Sequence, residues 1–255
     1  MGLGLFVRNI FPWWVKYYHR LEIHGLENLP RSGSAIIAPN HSGGLDYDNF
    51  CLMSAFETFP VDHPLRRKLW LLYDDRSVVP RNVWTRWVRH FTPLPVNLTH
   101  KGGINYLLVD KAVARGDWIA IMPEGHTAAV YEGYRLWRFF PGVIKLHLRY
   151  HIPIIPTAMI GFVKAAQKVT QIYHPDKVPA FSHQTYSPVI FPRKLIIHFG
   201  TPLQFPEYYG QTLDKAELFQ LAGKVRKAVR SEICRYIPNA SWKFPYGKDE
   251  NFFSN

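Results

Sequence analysis

A histidine and an aspartate stand five residues apart in the stretch NHSGGLD, residues 40–46. A regular helix cannot bring His41 and Asp46 together, because five residues turn an α-helix by about 500°. The intervening Gly43 and Gly44 permit a tight turn that carries the carboxylate back to the imidazole. A carboxylate bonded to one ring nitrogen makes the other nitrogen a better base. The pattern therefore predicts a general base, or, in an equally simple interpretation, a histidine that caps the following helix.

No nucleophile motif accompanies this pair. The chain contains no G-x-S-x-G sequence, and neither Cys51 nor Cys234 is close to a histidine in the sequence. A general base without a protein nucleophile favours direct attack by an acceptor hydroxyl on an activated acyl group. A second polar cluster, MPEGHTA at 122–128, contains Glu124, which either contacts a polyol substrate or lies in an ordinary exposed turn.

Apolar segments of strand and helix type alternate along the chain. The sequence predicts strands at 34–40, 92–97, 117–123, 152–161 and 194–200, and helices at 47–59, 81–91, 103–116, 142–151 and 214–237. This order is typical of a single α/β domain with a largely parallel sheet flanked by helices. Ligands bind at the carboxyl ends of such strands. His41 and Glu124 each follow a predicted strand, so we expect them at the same edge.

The amino-acid composition indicates the class of protein, its compartment and the kind of partner to expect. The 255 residues are 47% hydrophobic and 20% charged, which fits one globular domain. Two cysteines make no disulfide framework, so a reducing, cytosolic compartment is expected. The net charge of +12 favours an anionic partner, and 8 Trp and 14 Tyr suit a membrane interface.

The N-terminal residues 1–21 mix aromatic and basic side chains and are predicted to be an amphipathic, interfacial helical segment. The alternative is a helix docked on the domain's own core. The apolar run at 152–163 carries two prolines and is too short to span a bilayer, and the N-terminus lacks the features of a secretory signal. We therefore expect a peripheral, monotopic protein on the cytoplasmic face of a membrane.

Four blocks of the sequence resemble, in the same order, those of the glycerolipid acyltransferase family typified by lysophosphatidic acid acyltransferases. They are HGLENLPRSGSAIIAPNHSGGLD, LPVN, MPEG and IPIIPTAMIG, followed by a trailing strand, IIHFGTPL. The similarity covers about residues 22–205, which we take as the catalytic core. Residues 206–255 are then a C-terminal helix and tail that pack on it.

The resemblance implies a mechanism. His41, oriented by Asp46, acts as general base on an acceptor hydroxyl, which attacks the thioester of acyl-CoA or acyl carrier protein. No metal or bound cofactor is implied. The substrate-binding residues that we carry over or add are Glu124, Gly125, His126, Thr127, Asn97 and Lys101.

The sequence departs from the family pattern where a phosphate is usually held. The second block usually continues P-V-D to an arginine, but residues 95–98 read PVNL; the third usually reads P-E-G-T-R, but 123–128 read PEGHTA. An arginine fork is the natural phosphate ligand. Either other residues replace it, or the acceptor has no phosphate monoester, which we favour: a lysophospholipid with a larger head group, a glycolipid, a diacylglycerol or another lipid alcohol. The candidate replacements are Lys101, Arg81, Arg86 and His126.

Three rival functions stay open. A nonenzymatic lipid- or nucleic-acid-binding protein would gather its basic residues in one stripe, whereas here they are spread widely, and no nucleic-acid motif is present. We expect membrane lipids and the acyl donor as partners, and no nucleic acid. A hydrolase would use a water activated by His41. A catalytically degenerate family member would bind lipid only, and the sequence does not indicate an oligomeric state.

Overall fold

The computed structural model describes residues 10–57, 59–60, 62–74, 93–97, 103–173 and 181–238. The helix predicted at 81–91, and with it Arg81 and Arg86, lies outside the described residues, as does Lys101.

The described strands form a sheet of eight strands and a separate two-stranded hairpin. The strands are β1 (Glu22–His24), β2 (Ile36–Pro39), β3 (Leu69–Asp74), β4 (Pro93–Asn97), β5 (Gly103–Ile104), β6 (Trp118–Ala120), β7 (Ile154–Ile160), β8 (Ala166–Tyr173), β9 (Phe181–Ile190) and β10 (Ile196–Phe199). The order in the large sheet is β1-β10-β7-β2-β6-β3-β4-β5. Within this eight-stranded sheet, the described pairs are parallel except β10 with β7 and β4 with β5, which are antiparallel. The predicted α/β domain with a largely parallel sheet is confirmed.

Helices cover both faces of the large sheet. They are α1 (Phe11–Tyr18), α2 (Tyr47–Glu57), α3 (Tyr106–Ala114), α4 (Gly142–Tyr150), the single turn α5 (Phe162–Ala165) and α6 (Lys215–Cys234). Successive residues of β2 point to opposite faces, as a pleated strand requires. Ile37 packs with residues of α1 and α2, whereas Ile36 and Ala38 pack with residues of α3, α4 and α6. One apolar core therefore packs against each face of the central strands.

The C-terminal helix α6 follows its predicted pattern closely. Asp214 accepts a hydrogen bond from the Glu217 N–H, and the Glu217 carboxylate accepts one from the Asp214 N–H, both at 2.8 Å. This reciprocal capping box satisfies two backbone donors at the helix start. The buried apolar stripe consists of Leu221, Val225, Val229 and Ile233. Helix α6 thus packs on the second core, as its 3.6-residue periodicity indicates.

The hairpin of β8 and β9 was not predicted from the sequence. Polar and apolar residues alternate only loosely along its strands, and the second strand contains Pro188, a residue that is disfavoured within a sheet. The hairpin lies across the NHSGGLD turn: a Cβ on Gly44 would come within 2.7 Å of the Tyr186 ring and 3.2 Å of the Gln167 backbone. Glycine is therefore needed at position 44 for this close approach.

Helix α1 has one docked face and one exposed face. Phe11 and Val15 are buried in the first core, while the Trp13 and Tyr17 side chains remain 62% and 57% exposed. The helix therefore docks on the domain and also presents aromatic rings to the outside, while its contact with a membrane stays a prediction. Within the described part of the chain, no helix has the length and apolar character that crossing a membrane requires.

Candidate active site

The two polar clusters meet at one edge of the large sheet. Asn40, directly after β2, accepts a hydrogen bond from the Met159 N–H at 2.7 Å and donates to the Met159 carbonyl at 3.2 Å. This pairing fixes the end of β2 against β7. On the other side of β2, the chain after β6 turns back so that the Ala128 N–H donates to the His41 carbonyl at 2.8 Å. The carboxyl ends of parallel strands therefore bring residues 40–48 and 122–128 together, as predicted.

The Nδ1 side of the His41 ring contacts a buried carboxylate. Nδ1 lies 2.8 Å from Oδ2 of Asp48, which also accepts a hydrogen bond from the Ser42 N–H at 2.8 Å. The other oxygen, Oδ1, accepts from the Asn49 N–H at 2.9 Å. Asp48 has no solvent exposure. Because the carboxylate can only accept, Nδ1 carries the proton and Nε2 is left as the basic nitrogen.

The sequence interpretation gave this hydrogen bond to Asp46, and here the geometry differs. The nearest approach of Asp46 is Oδ1 to Nε2, at 3.8 Å, which is too long for a hydrogen bond. Asp46 ends a 3-10 turn, Gly44–Asp46, with a φ of 55°, and helix α2 begins at the next residue. Asp48 therefore lies in the first helical turn, where an acidic side chain is favoured, and turns back to the ring. The sequence does contain this second aspartate, Asp48, at the start of the predicted helix. The H-x-x-x-x-D pattern favoured Asp46 instead.

The Nε2 side of the ring meets a hydroxyl. Oγ1 of Thr127 lies 2.8 Å from Nε2, and since Nδ1 holds the ring proton, the hydroxyl donates to Nε2. Thr127 is half-buried, and His41 is 8% exposed. Asp48, His41 and Thr127 thus form a continuous chain of carboxylate, imidazole and hydroxyl. The sequence placed Thr127 among the substrate-binding residues, and nothing in the sequence pattern indicated its contact with His41.

Opposing effects set the basicity of His41. Burial lowers the pKa of the imidazole, but the charge and hydrogen bond of Asp48, followed by the charge of Asp46, outweigh it. The charge of Lys168 acts in the lowering direction. The pKa of His41 is raised above its ordinary value as a result, which makes Nε2 a stronger base.

Glu124 contacts backbone groups on both sides of the site. Its Oε1 accepts the His41 N–H at 3.0 Å, and its Oε2 accepts the Trp137 N–H at 2.8 Å. The side chain is 3% exposed, and burial raises the pKa of this carboxyl to about 7. Glu124 therefore ties the turn after β6 to the backbone of the histidine. Its predicted contact with substrate stays a prediction, because the contacts described are with the protein.

The rest of the PEGHTA turn is closely packed. Gly125 has a φ of 68° and lies under the Phe140 ring, which a Cβ would approach to 3.1 Å. His126 is buried edge-on against Trp137, with ring centroids 4.8 Å apart. Burial holds the pKa of His126 well below its usual range, so the ring is neutral at pH 7. A neutral buried imidazole cannot supply the positive charge that would replace a phosphate-binding arginine.

The hairpin contributes a buried lysine that the sequence reasoning missed. Lys168, on β8, has no solvent exposure, and its ammonium donates a hydrogen bond to the Thr127 carbonyl. Burial lowers the pKa of Lys168 to about 8, while the charges of Glu132, Glu124 and Asp46 act in the opposite direction. Only the tertiary fold reveals this residue, because it lies 41 positions from Thr127 in the sequence.

Of the two remaining predicted substrate-binding residues, Asn97 and Lys101, the structure describes only the backbone of Asn97. Asn97 ends β4, and β6 and β3 stand between β4 and β2 in the sheet. At the usual strand spacing, this places its backbone ~14 Å from that of Asn40. Its side chain and Lys101 lie outside what the structure describes.

The fold and the site define a class of protein. A histidine backed by a buried carboxylate and facing a hydroxyl, at the carboxyl edge of a parallel sheet, is built to take a proton from an oxygen nucleophile. The sequence profile of the Acyltransferase family matches residues 20–160, more than half of the chain. The chain therefore belongs to the Acyltransferase family, which confirms the family resemblance seen in the sequence.

The chain is also similar to individual proteins and to a solved structure. Uncharacterized proteins of Mycobacterium tuberculosis (strain ATCC 25618 / H37Rv) and Mycobacterium bovis (strain ATCC BAA-935 / AF2122/97) are each 26% identical over 251 residues, a match that covers 91% of this chain and 65% of theirs. This chain thus spans slightly less than two thirds of their length. The crystal structure of the 1-acyl-sn-glycerophosphate (LPA) acyltransferase PlsC from Thermotoga maritima superposes with a TM-score of 0.54 at 13% identity, covering 94% of this chain and 80% of that one. The fold is shared with PlsC.

Proposed function

We propose that this acyltransferase moves a fatty acyl group from an acyl thioester, acyl-CoA or acyl carrier protein, to a hydroxyl of a lysophospholipid, a glycerolipid or a related lipid alcohol. One observation carries the proposal. The basic nitrogen of His41, Nε2, lies 2.8 Å from the hydroxyl oxygen of Thr127, while the opposite nitrogen, Nδ1, is hydrogen-bonded to Asp48. This is the geometry that a general base needs in order to take a proton from a hydroxyl nucleophile.

The charges around His41 favour an acceptor without a phosphate monoester. Four carboxyl groups line the site, those of Asp46, Asp48, Glu124 and Glu132. Lys168 and, at Glu124, Arg226 contribute positive charge. A phosphate monoester carries close to two negative charges at neutral pH and would be repelled by such a lining. A neutral or zwitterionic lipid with a free hydroxyl suits it better.

The acidic lining also suggests a task for Asp46. Its carboxylate lies on the Nε2 side of the ring, where an acceptor hydroxyl would approach, and its side chain is 31% exposed. A carboxylate in this position can accept a hydrogen bond from a second hydroxyl of the acceptor. We therefore assign Asp46 to acceptor binding and Asp48 to orientation of the ring.

Helix α1 supports contact with a membrane. The Trp13 and Tyr17 rings lie on the exposed face, with centroids 4.8 Å apart and planes tilted by 47°. The Lys16 ammonium lies 5.5 Å from the Tyr17 ring. Aromatic rings beside basic residues settle at the boundary between lipid head groups and acyl chains. In this proposal the protein is peripheral on the cytoplasmic face, with α1 and the residues that precede it giving access to lipid substrates.

Acyl transfer is tested with purified protein, radiolabelled acyl thioesters and a panel of acceptors. We expect label to move to acceptors without a phosphate monoester and a loss of about 10²–10⁴-fold in His41→Ala. Transfer to lysophosphatidic acid alone would contradict the acceptor class. No transfer from either donor type to any acceptor, with folded protein, would refute the enzymatic function.

Membrane contact is tested separately by sedimentation with vesicles that contain anionic lipid. The double variant Trp13→Ala/Tyr17→Ala is expected to bind at least about tenfold more weakly, because it removes two large interfacial rings. Leu107→Ala is the matched control, since Leu107 is 75% exposed on α3, away from α1. Equal binding by the double variant and the control would exclude α1 as the contact.

A further inference from the structure

A buried histidine beneath helix α1 takes no part in the proposed reaction. His19, the residue after α1, has no solvent exposure. Its Nδ1 lies 3.0 Å from the carbonyl oxygen of Arg193, and its Nε2 lies 2.6 Å from the hydroxyl of Tyr47. Burial lowers the pKa of His19, so the ring is neutral at pH 7. Because a carbonyl only accepts, Nδ1 carries the proton, and the Tyr47 hydroxyl donates to Nε2.

Tyr47 connects this histidine to the exposed face of α1. The indole N–H of Trp14 donates a hydrogen bond to the Tyr47 hydroxyl oxygen at 3.3 Å. Trp14 is 38% exposed and lies in α1 beside Trp13 and Tyr17, the rings assigned to membrane contact. Trp14, His19 and Tyr47, which we call the α1 joint, therefore form a hydrogen-bonded chain from the outer face of the helix to the interior.

The α1 joint is attached to two elements that build the candidate active site. Tyr47 is the first residue of α2 and stands between Asp46 and Asp48, where the 3-10 turn becomes a helix. On the other side, Arg193 follows β9, and the hairpin of β8 and β9 lies across the NHSGGLD turn. A shift of α1 therefore bears on the residue next to Asp48 and on the segment that leaves the hairpin.

We propose that the α1 joint makes catalysis depend on lipid contact. When α1 binds an anionic bilayer, Tyr47 is held in place, and the start of α2 keeps the arrangement that sets Asp48 against His41. Tyr47 is then a positioning residue that acts through Asp48. The inference rests on the proposed acyl transfer. It adds a rise in kcat, which concentrating the substrates at a membrane does not produce, because local concentration changes the apparent KM.

The exposed face of α1 is better suited to a bilayer surface than to water. The helix has eight residues, and an isolated helix of that length is marginal in water. Docking of Phe11 and Val15 stabilises it, but Trp13 and Tyr17 stay exposed beside the Lys16 ammonium. A surface of anionic head groups accommodates both the rings and the cation. Lipid therefore binds the docked helix better than an opened one.

Opening of α1 in water weakens the start of α2. The Tyr47 side chain is 4% exposed, and its hydroxyl loses both hydrogen-bond partners when the helix leaves. A buried polar group without partners is unfavourable, so the tyrosine moves, and Asp48 is the adjacent residue. A ligand shifts such an equilibrium by binding one state better than the other. Lipid on α1 thus favours the state in which Tyr47 keeps both bonds.

Steady-state kinetics with the full chain test the dependence on lipid. The donor is a short-chain acyl thioester, and the acceptor is a short-chain lysophospholipid kept below its micelle concentration. The vesicles contain phosphatidylcholine and phosphatidylserine, which have no free hydroxyl to accept the acyl group. We expect kcat to rise about fivefold or more when vesicles are added. Independently of activity, hydrogen exchange of the backbone amides of α2 should slow.

Two variants break the α1 joint while leaving the outer rings in place. Tyr47→Phe deletes the hydroxyl and keeps the ring that packs edge-on against Phe11, with centroids 6.0 Å apart. Trp14→Phe deletes the indole N–H. Both should bind vesicles as the unmodified protein does, with the rise in kcat reduced to less than about twofold. Tyr236→Phe is the matched control, because it deletes a tyrosine hydroxyl that lies 2.7 Å from Nδ1 of His198, and it should keep the full rise.

The outcomes separate this inference from the proposed function. A rise in kcat and slower exchange in α2, both lost in Tyr47→Phe, support the inference, and Trp14→Phe gives the same decision if Tyr47→Phe does not fold. An unchanged kcat on vesicles that bind the protein overturns the inference and leaves acyl transfer standing. So does a full rise in both variants. If no acceptor is acylated, slower exchange in α2 that is lost in Tyr47→Phe supports the α1 joint and counts against acyl transfer alone. Exchange in α2 that vesicles do not change would then overturn both.

Discussion

The two sides of the His41 ring differ in nearly every physical respect. The Nδ1 side is closed: Asp48 is fully buried, and its two oxygens receive the ring and two backbone N–H groups. The Nε2 side is partly open, with a half-buried hydroxyl from Thr127 and the carboxylate of Asp46 at 3.8 Å. A fully satisfied, buried acceptor suits a fixed orienting role, whereas a partly exposed group can still exchange its partner for a substrate.

The difference also explains how two aspartates separated by one residue can have separate tasks. Asp46 and Asp48 both raise the pKa of His41 through their charges, but Asp48 contributes more and is the one hydrogen-bonded to the ring. Proximity in the sequence therefore says little about role. The change from a 3-10 turn to a helix at Tyr47 sends the two carboxylates to opposite ring nitrogens.

The largest effect is expected on the closed side. In Asp48→Asn, kcat should fall about 10²–10⁴-fold, because an amide neither stabilises the imidazolium nor accepts at both of its terminal atoms. The lost charge also lowers the pKa of His41. Activity that requires neutral His41 appears as pH rises through this pKa, so the acid limb of the kcat/KM profile should move to lower pH. Asp62→Asn, at an exposed position, is the control. An Asp46→Asn variant with the larger loss in kcat would reverse our assignment.

A smaller loss of activity is expected when the hydrogen bond from the His41 N–H to Glu124 is weakened. Glu124→Gln places an amide NH₂ against one of the two backbone N–H groups, at a cost of about 1–3 kcal/mol in the free energy of unfolding. Transfer should fall about tenfold as the turn loosens.

The pH dependence of stability gives Glu124 a separate signature. The pKa of Glu124 in the folded protein, about 7, exceeds the ordinary value of 4.5, so its contribution to stability is complete below about pH 4.5 and is lost as pH rises through 7. The free energy of unfolding, measured by urea denaturation from pH 4.5 to 8, should therefore decline less with pH in Glu124→Gln. Glu207→Gln, on the surface, should retain the slope of the unmodified protein. An identical slope in Glu124→Gln would show that this carboxyl does not titrate there.

On the open side, Asp46→Asn should chiefly affect substrate binding. Loss of one charge-assisted hydrogen bond to the acceptor should raise the acceptor KM about tenfold, with a smaller change in kcat. Steady-state kinetics with acceptor varied at saturating thioester measure the split. A fall in kcat at unchanged KM would place Asp46 with Asp48 as an orienting residue.

The smallest effect is expected when the positive charge of Lys168, which acts on the pKa of His41, is removed. Lys168 lowers the pKa of His41, so Lys168→Met should raise it and move the acid limb of kcat/KM to higher pH, opposite to the shift in Asp48→Asn. The same pH profile measures both variants. A shift in the same direction in both would mean that the hairpin lysine acts on His41 through packing and not through its charge.

Local patterns were enough to predict much of the fold. The apolar stripe and the capping box of α6 are short-range features of the chain. So is the alternation of strands and helices from which β2, β6 and β7 were predicted. Helix and strand periodicities are set by nearest neighbours, so they can be read without the tertiary structure. The hairpin of β8 and β9 lacked such a pattern, because its inner face is defined only by the turn that it covers.

For the site, the sequence by itself predicted His41 as the base and determined that two polar clusters meet. His41 and the PEGHTA turn each follow a buried strand, and parallel strands end at one edge. Only the tertiary structure decided which carboxylate holds the ring, which hydroxyl faces Nε2, and that Lys168 is buried beside them. The physical reason is that hydrogen bonds of 2.8 Å depend on side-chain directions. Those directions follow from where a turn becomes a helix and how a distant hairpin packs, and residue spacing does not encode either.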